Sequence, residues 1–162
     1  MTVLSSQRIR TLCVEHGMIS PFVERTRYEG VTHGLSPAGY DVRIEFDREG
    51  IINETIIEPG EFLLVSTIER FRMPNYLVGI VHDKSSWARQ GLTVQNTVIE
   101  PGWGGWLTLE LANHGPKQIL LKRGVGIAQI LFHKLDEATQ DPYEGKYQNQ
   151  ERGPVKEKKD GN

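Results

Sequence analysis

Two cations and two hydroxyls fall within six residues at Lys84, Ser85, Ser86 and Arg89. Such a set suits phosphate, because a guanidinium grips two oxygens at once, an ammonium adds a point charge and hydroxyls donate. A carboxylate, Glu110, follows on the short apolar run Trp106-Leu107-Thr108-Leu109-Glu110-Leu111. Between them, Pro101-Gly102 and Gly104-Gly105 bracket Trp103 in what reads as a hairpin tip. An anion grip, an aromatic-bearing hairpin and a strand-borne carboxylate together describe a nucleotide site. Hydrolysis there needs a group that takes a proton from water and returns protons to the substrate. One carboxylate of raised pKa can do both.

Taken singly, each residue has a plainer reading. Glu110 alternates with Leu109 and Leu111, so it shares the opposite face with Trp106 and Thr108. On pattern alone a solvated glutamate on an outer sheet face is the commoner outcome. Lys84 and Arg89 also read as surface cations, and Ser85-Ser86 as a turn or N-cap. Trp103 needs something to pack against, and a sugar ring or a neighbouring subunit would serve. Trp87 and Trp106 are assigned to core or interface, and Cys13 to helix packing. Asp41 and Arg43 share one face of a strand and are assigned to a structural ion pair or a subunit contact.

The elements that must position these groups are mostly strands. Ser5 or Ser6 can cap a first helix whose apolar residues Ile9, Leu12 and Cys13 share one face, with Gly17 as its stop. Strand-like runs follow at Tyr40–Phe46, Ile51–Ile57, Phe62–Ile68, Leu77–His82, Leu92–Ile99, Trp106–Leu111, Gln118–Leu121 and Ile127–Leu135. Turn signals such as Glu58-Pro59-Gly60-Glu61 and Lys122-Arg123-Gly124 separate most of them. Short strands at near-even spacing predict an all-β sandwich, jelly roll or barrel. Residues 1–135 make the β domain, and residues 136–162 a polar tail without strand or helix period. Its end, Lys156 to Asn162, is expected to be mobile, while its tyrosines, lysine and glutamines suit a segment that orders over a ligand.

Composition narrows the function. With net charge −2 and 25% charged residues, the chain of 162 residues has no basic surface for a nucleic-acid polymer. No apolar run is long enough to span a membrane and the N-terminus has no signal-peptide core, so a cytoplasmic protein is expected. The single cysteine and the scattered histidines His16, His33, His82, His114 and His133 give no metal-ligand spacing. The signature of a zinc-dependent base deaminase is absent, so zinc is not expected.

With these residues laid out, the chain resembles the dCTP deaminases, within the superfamily they share with trimeric dUTPases. The likeness rests on the N-terminal helix with Leu35-Ser36-Pro37-Ala38-Gly39-Tyr40-Asp41-Val42-Arg43, on Lys84 to Leu92, on Ile99 to Gly105 running into Leu109 to Asn113, and on Lys146-Tyr147-Gln148-Asn149-Gln150. The resemblance implies a distorted jelly roll of the dUTPase type, a homotrimer with active sites between subunits, and conversion of dCTP to dUTP and ammonia with Mg2+ carried on the triphosphate. It implies Glu110 as the catalytic glutamate, with Ser85 and Arg89 binding phosphate and helping to position the nucleophilic water. It also implies nucleotide contacts from Lys84, Ser86, Glu100, Trp103, Tyr143, Lys146 and Gln150. The chain departs from the family at Thr93 to Val98, a bridge two residues shorter that lacks the Thr-Ala pair which accommodates inhibitory dTTP. Glu100 stands where an Asp is usual. A bifunctional enzyme giving dUMP and diphosphate, a dUTPase, and a non-catalytic nucleotide-binding regulator therefore stay open.

Overall fold

The structure is a computed structural model, and it describes residues 2–159. In chain order the elements are β1 (Thr2–Val3), α1 (Ser6–His16), β2 (Ile19–Ser20), β3 (Thr26–Tyr28), β4 (Val31–Ser36), β5 (Gly39–Glu45), β6 (Glu54–Ile57) and β7 (Phe62–Arg72). Then come β8 (Leu77–Asp83), α2 (Ser85–Ala88), β9 (Leu92–Val94), β10 (Val98–Ile99), β11 (Gly104–Asn113), β12 (Ile119–Lys122) and β13 (Gly126–Lys134). All the strand ladders are antiparallel, the main one running β10-β8-β13-β5-β7-β11-β9, with β6 and β12 paired separately.

The strand β5 joins the two layers of this curled sheet. Tyr40 to Arg43 pair with β13, whereas Ile44 and Glu45 pair with β7. The layers close over Tyr40, Val42, Ile44, Phe71, Leu109, Leu111, Ile130 and Phe132, all fully buried. The expected jelly roll is therefore present, and the expected strands recur with shifted ends. Leu92–Ile99 splits in two at Gln95–Thr97, and β2, β3 and β4 come from a stretch whose glycines and prolines masked any strand period. Helix α1 buries Ile9, Leu12 and Cys13 as its pattern required, and burial raises the Cys13 thiol to about 12, leaving it inert. Ser5 is its N-cap by position but makes no side-chain cap bond. Gly17 ends it in the left-handed conformation, its N–H donating to Cys13 O.

The second face of β5 is charged, and each charge has a partner from a different element. Asp41 accepts from Lys84 Nζ at the start of α2. Arg43 Nε donates to Glu69 Oε1 at 2.7 Å and its backbone N–H to Glu69 Oε2 at 2.9 Å. Glu45 holds Arg123 and Arg152. Asp41 and Arg43, assigned to a structural ion pair or a subunit contact, both form ion pairs, each with a residue from across the layer and not with each other. Among the described residues no helix is long and apolar enough to cross a membrane.

A fully buried carboxylate that loses its cation, or the reverse, costs several kcal/mol, whereas an apolar pair of similar size is tolerated. Glu69→Ala should therefore destabilise the protein by about 3–5 kcal/mol. Arg43→Met with Glu69→Leu should recover most of that loss. Denaturant midpoints at constant m-value check both; equal losses in the two variants would mean that the pair does not carry this energy.

Candidate active site

A cavity of about 730 Å³ opens beside β11, walled by that strand, by the 99–105 hairpin and by the tail. Glu110 faces into it, as do Thr108 and Leu107. The pairing of β11 with β7 shifts register between Trp106 and Thr108, and Thr67 Oγ1 takes up the displaced Leu107 N–H at 3.1 Å. This irregularity explains a difference from simple alternation. Leu107, not Trp106, contributes to the cavity wall, and Trp106 instead carries the Arg70 guanidinium 5.6 Å from its ring centroid.

Glu110 stands directly across the ladder from Leu64, with Leu107 and Val98 also on the cavity wall. Its Oε2 is buried and has no hydrogen-bond partner. Burial pushes its carboxyl above the ordinary 4.5, against a smaller opposing pull from its own backbone N–H. A half-buried, underbonded carboxylate of raised pKa is suited to exchange protons with a substrate.

The hairpin and tail are built onto one another. Trp103 is 6% exposed, its indole Nε1 donating to Tyr147 O at 2.8 Å and its ring 6.5 Å from that of Phe71. Gln148 accepts from Gly104 N and donates to Gly102 O and Tyr143 O. Gln150 forms a parallel bridge with Gly105, and its side-chain amide donates to Trp106 O at 2.8 Å and Thr108 Oγ1 at 2.7 Å. Gly102 and Gly105 have φ of +82° and +139°, and a Cβ on either would meet Pro142 at 2.6 Å or the Gln150 backbone at 2.7 Å. These positions require glycine because the tail lies on them. Trp103, whose expected partner is a sugar ring or a neighbouring subunit, packs on Phe71 and on the chain's own tail. Of the expected mobile end, residues 160–162 lie outside the described residues. Lys158 N donates to Tyr147 Oη at 3.3 Å.

Of the residues expected in the site, Glu100, Trp103, Glu110, Tyr143 and Gln150 converge on the cavity. Lys84, Ser85, Ser86, Arg89 and Lys146 do not line it. Ser85, Ser86 and Arg89 are exposed on and beside α2, which is tied down by Trp87 Nε1 donating to Gly126 O at 2.7 Å. Lys84, expected to offer a free charge, has its ammonium held by Asp41 and by Thr32 Oγ1, with only 10% of the side chain exposed. Lys146 lies 5.5 Å from the Tyr147 ring centroid. Sequence reasoning missed Thr108, Tyr147, Val155 and Glu157 as cavity residues. The face shared by Thr108 and Glu110 was the available signal for the first; the last two sit in a stretch without period.

A curled jelly roll carrying a buried carboxylate beside a tail-covered hairpin defines the class of dUTPase-like nucleotide folds. EIAV dUTPase superposes with a TM-score of 0.56 at 21% identity, covering 80% of this chain and 98% of that one. The 2'-deoxycytidine 5'-triphosphate deaminase of Agrobacterium tumefaciens gives 0.65 at 18% identity, covering 82% of this chain and 47% of that longer one. The family model described as dCTP deaminase-like matches residues 46–135. The dCTP deaminase of Herpetosiphon aurantiacus is 36% identical over 176 residues, and that of Pseudomonas fluorescens 37% over 180, each match covering 93% of this chain and 96% of the relative. This chain belongs to the dCTP deaminase family.

A carboxyl whose pKa is raised on folding favours the fold when protonated, and that contribution is lost as pH rises through the folded-state value. Glu110→Gln should therefore raise Tm at pH 7–8, with the gain shrinking as pH falls through the raised folded-state value and gone below 4.5, where the parent carboxyl is protonated in both states. Thermal melts across that range check this; a gain independent of pH would mean that Glu110 is not desolvated.

Proposed function

We propose that this chain hydrolyses dCTP to dUTP and ammonia at sites completed between copies of itself in a homotrimer. The observation that carries the reading is a division within the chain. The cavity holding the underbonded Glu110 has Glu100 and Glu157 on its walls but no lysine or arginine, whereas Ser85, Ser86 and Arg89 stand exposed elsewhere. A triphosphate cannot be held by carboxylates alone. A neighbouring copy would bring its Ser85–Arg89 segment to the cavity mouth. Family membership and the naming of relatives as dCTP deaminases support the reaction.

In this mechanism Glu110 takes a proton from the water that attacks C4 of cytosine and passes it to N3. It then takes the proton of the new C4 hydroxyl and passes it to the amine, which leaves as ammonia as the C4–N bond breaks and the C4 carbonyl forms. Leu64, Leu107 and Val98 keep the carboxylate dry enough to be basic. Arg89 and Ser85 of the adjacent copy bind phosphate and orient the water. Trp103 and Glu100 flank the sugar, and Tyr143, Lys146 and Gln150 belong to the tail, residues 136–162, that covers the nucleotide. Lys84, tied to Asp41, sets the start of α2 in place of binding phosphate itself. Among the described residues no three His, Cys, Asp or Glu side chains group as metal ligands, so Mg2+ would be held through the phosphate oxygens, neutralising their charge. The shortened Thr93–Val98 bridge leaves inhibition by dTTP to be tested with that nucleotide, and a soluble nucleotide substrate fits a cytoplasmic enzyme. A second reading, further cleavage to dUMP and diphosphate, is favoured by the exposed Glu100 at the cavity edge. Separation of products from dCTP decides between the two.

Glu110→Gln keeps shape but loses proton transfer, so ammonia release should fall by about 10²–10⁴ with nucleotide binding largely kept. Arg89→Ala should weaken both. Co-assembly of these two inactive variants should restore part of the activity, since some sites then combine an intact Glu110 with an intact Arg89 from the other copy. Mixed assemblies as inactive as either parent variant would rule out shared sites.

A further inference from the structure

The Glu45 carboxylate is fully buried and receives two guanidinium groups. Arg123 Nε reaches Oε1 at 2.9 Å and Oε2 at 3.1 Å, and Arg123 Nη2 reaches Oε2 at 2.9 Å. Arg123 sits in the turn between β12 and β13, so the body of the protein already neutralises Glu45 with a forked pair. Arg152 Nη2 adds a further bond to Oε2 at 2.5 Å. Burial alone would raise the Glu45 carboxyl, but the hydrogen bonds from both arginines outweigh it and hold the group below the usual range. The second arginine is surplus to charge balance, and it belongs to the tail.

What Arg152 holds is a small closed loop. Thr108 Oγ1 accepts from Gln150 Nε2 at 2.7 Å and from Val155 N at 3.0 Å, so residues 150–155 begin and end on one oxygen. Arg152 lies between those two ends. Gly153 next to it has φ +92°, a conformation that favours glycine, and a Cβ there would crowd Arg48 N at 3.0 Å. Outside, Arg48 pairs with Glu151 at 2.6 Å, an exposed bond of small weight. Thr108 is two residues from Glu110 on the same strand face, and Gln150, Val155 and Glu157 form the tail wall of the Glu110 cavity.

We infer that Arg152 is a positioning residue for the active site, its bond to Glu45 holding the 150–155 loop on Thr108 and so fixing the tail wall opposite Glu110. The inference rests on the deaminase reading for its effect on turnover, but the latch itself can be tested without it. Arg152→Ala leaves Glu45 paired with Arg123, so the body stays folded. Hydrogen exchange should then speed up at the amides that bridge tail and body, Gly104, Trp106 and Val155, while the β5 and β13 core stays protected. Well below Tm, kcat/KM for dCTP should fall by about ten- to a hundredfold, with a loss in kcat as well as a rise in KM. Arg152→Lys should recover part of both. Thr108→Val should reproduce the defect, and combined with Arg152→Ala it should add little, because both act on one loop.

Unchanged protection at those amides in Arg152→Ala overturns the latch. Lost protection with kcat/KM within about twofold of the parent, or full additivity with Thr108→Val, overturns its role in positioning. If the parent releases no ammonia from dCTP, the deaminase reading falls and the exchange pattern alone decides whether Arg152 latches the tail.

Discussion

The architecture depends on how β5 handles three charges that its position forces into the interior. Tyr40, Val42 and Ile44 fill one side of the strand, and by alternation Asp41, Arg43 and Glu45 must occupy the other. Leaving any of them unpaired would cost more than a typical single contact contributes. Each therefore dictates where a distant part of the chain goes. Asp41 brings in the start of α2, Arg43 locks the partner strand β7, and Glu45 collects both the β12–β13 turn and the tail. One strand face thus orients the exposed cation segment at one end and the tail at the other.

The same logic separates the two halves of the site. The Glu110 side is walled by apolar residues such as Leu64 and Leu107, and burial raises the carboxyl so that it holds a proton more tightly than a solvated glutamate. Ser85, Ser86 and Arg89 are exposed, which under the proposed function leaves their charge and hydroxyls open to a triphosphate arriving from water. A single cavity could not meet both conditions without the arginine pairing with the glutamate and quenching each. In the proposed trimer, placing them on different regions of the chain and reuniting them by assembly would avoid that internal ion pair.

Much of this was legible in the sequence. Strand runs, turn signals and the helix face followed from periodicity, and the hairpin from its glycines. The place of Glu110 in a cavity wall was not visible from alternation, which favours a solvated side chain; the family resemblance alone singled it out. Lys84 reads in the sequence as a phosphate contact or a surface cation, and its pairing with Asp41, 43 residues away across the sheet, leaves no local mark. Arg152 could not be found at all, since a tail without period gives no hint that a buried carboxylate at the end of β5 is waiting for it. The irregular pairing beside Trp106 was equally hidden, because a register shift is a property of two strands and leaves no mark on either one alone.

The closure of residues 150–155 on a single hydroxyl oxygen also sets where the tail can change in length. A residue added or removed inside that ring would carry Arg152 away from Glu45 or pull Val155 off Thr108, and no neighbouring slack exists to absorb it. The connector before Tyr143 is different, resting on the body through bonds such as Thr139 N to Asn75 O. Insertions there would lengthen a surface path without disturbing the ring. Length changes engineered into this tail should accordingly be tolerated in the connector, whereas the ring behaves as one indivisible piece.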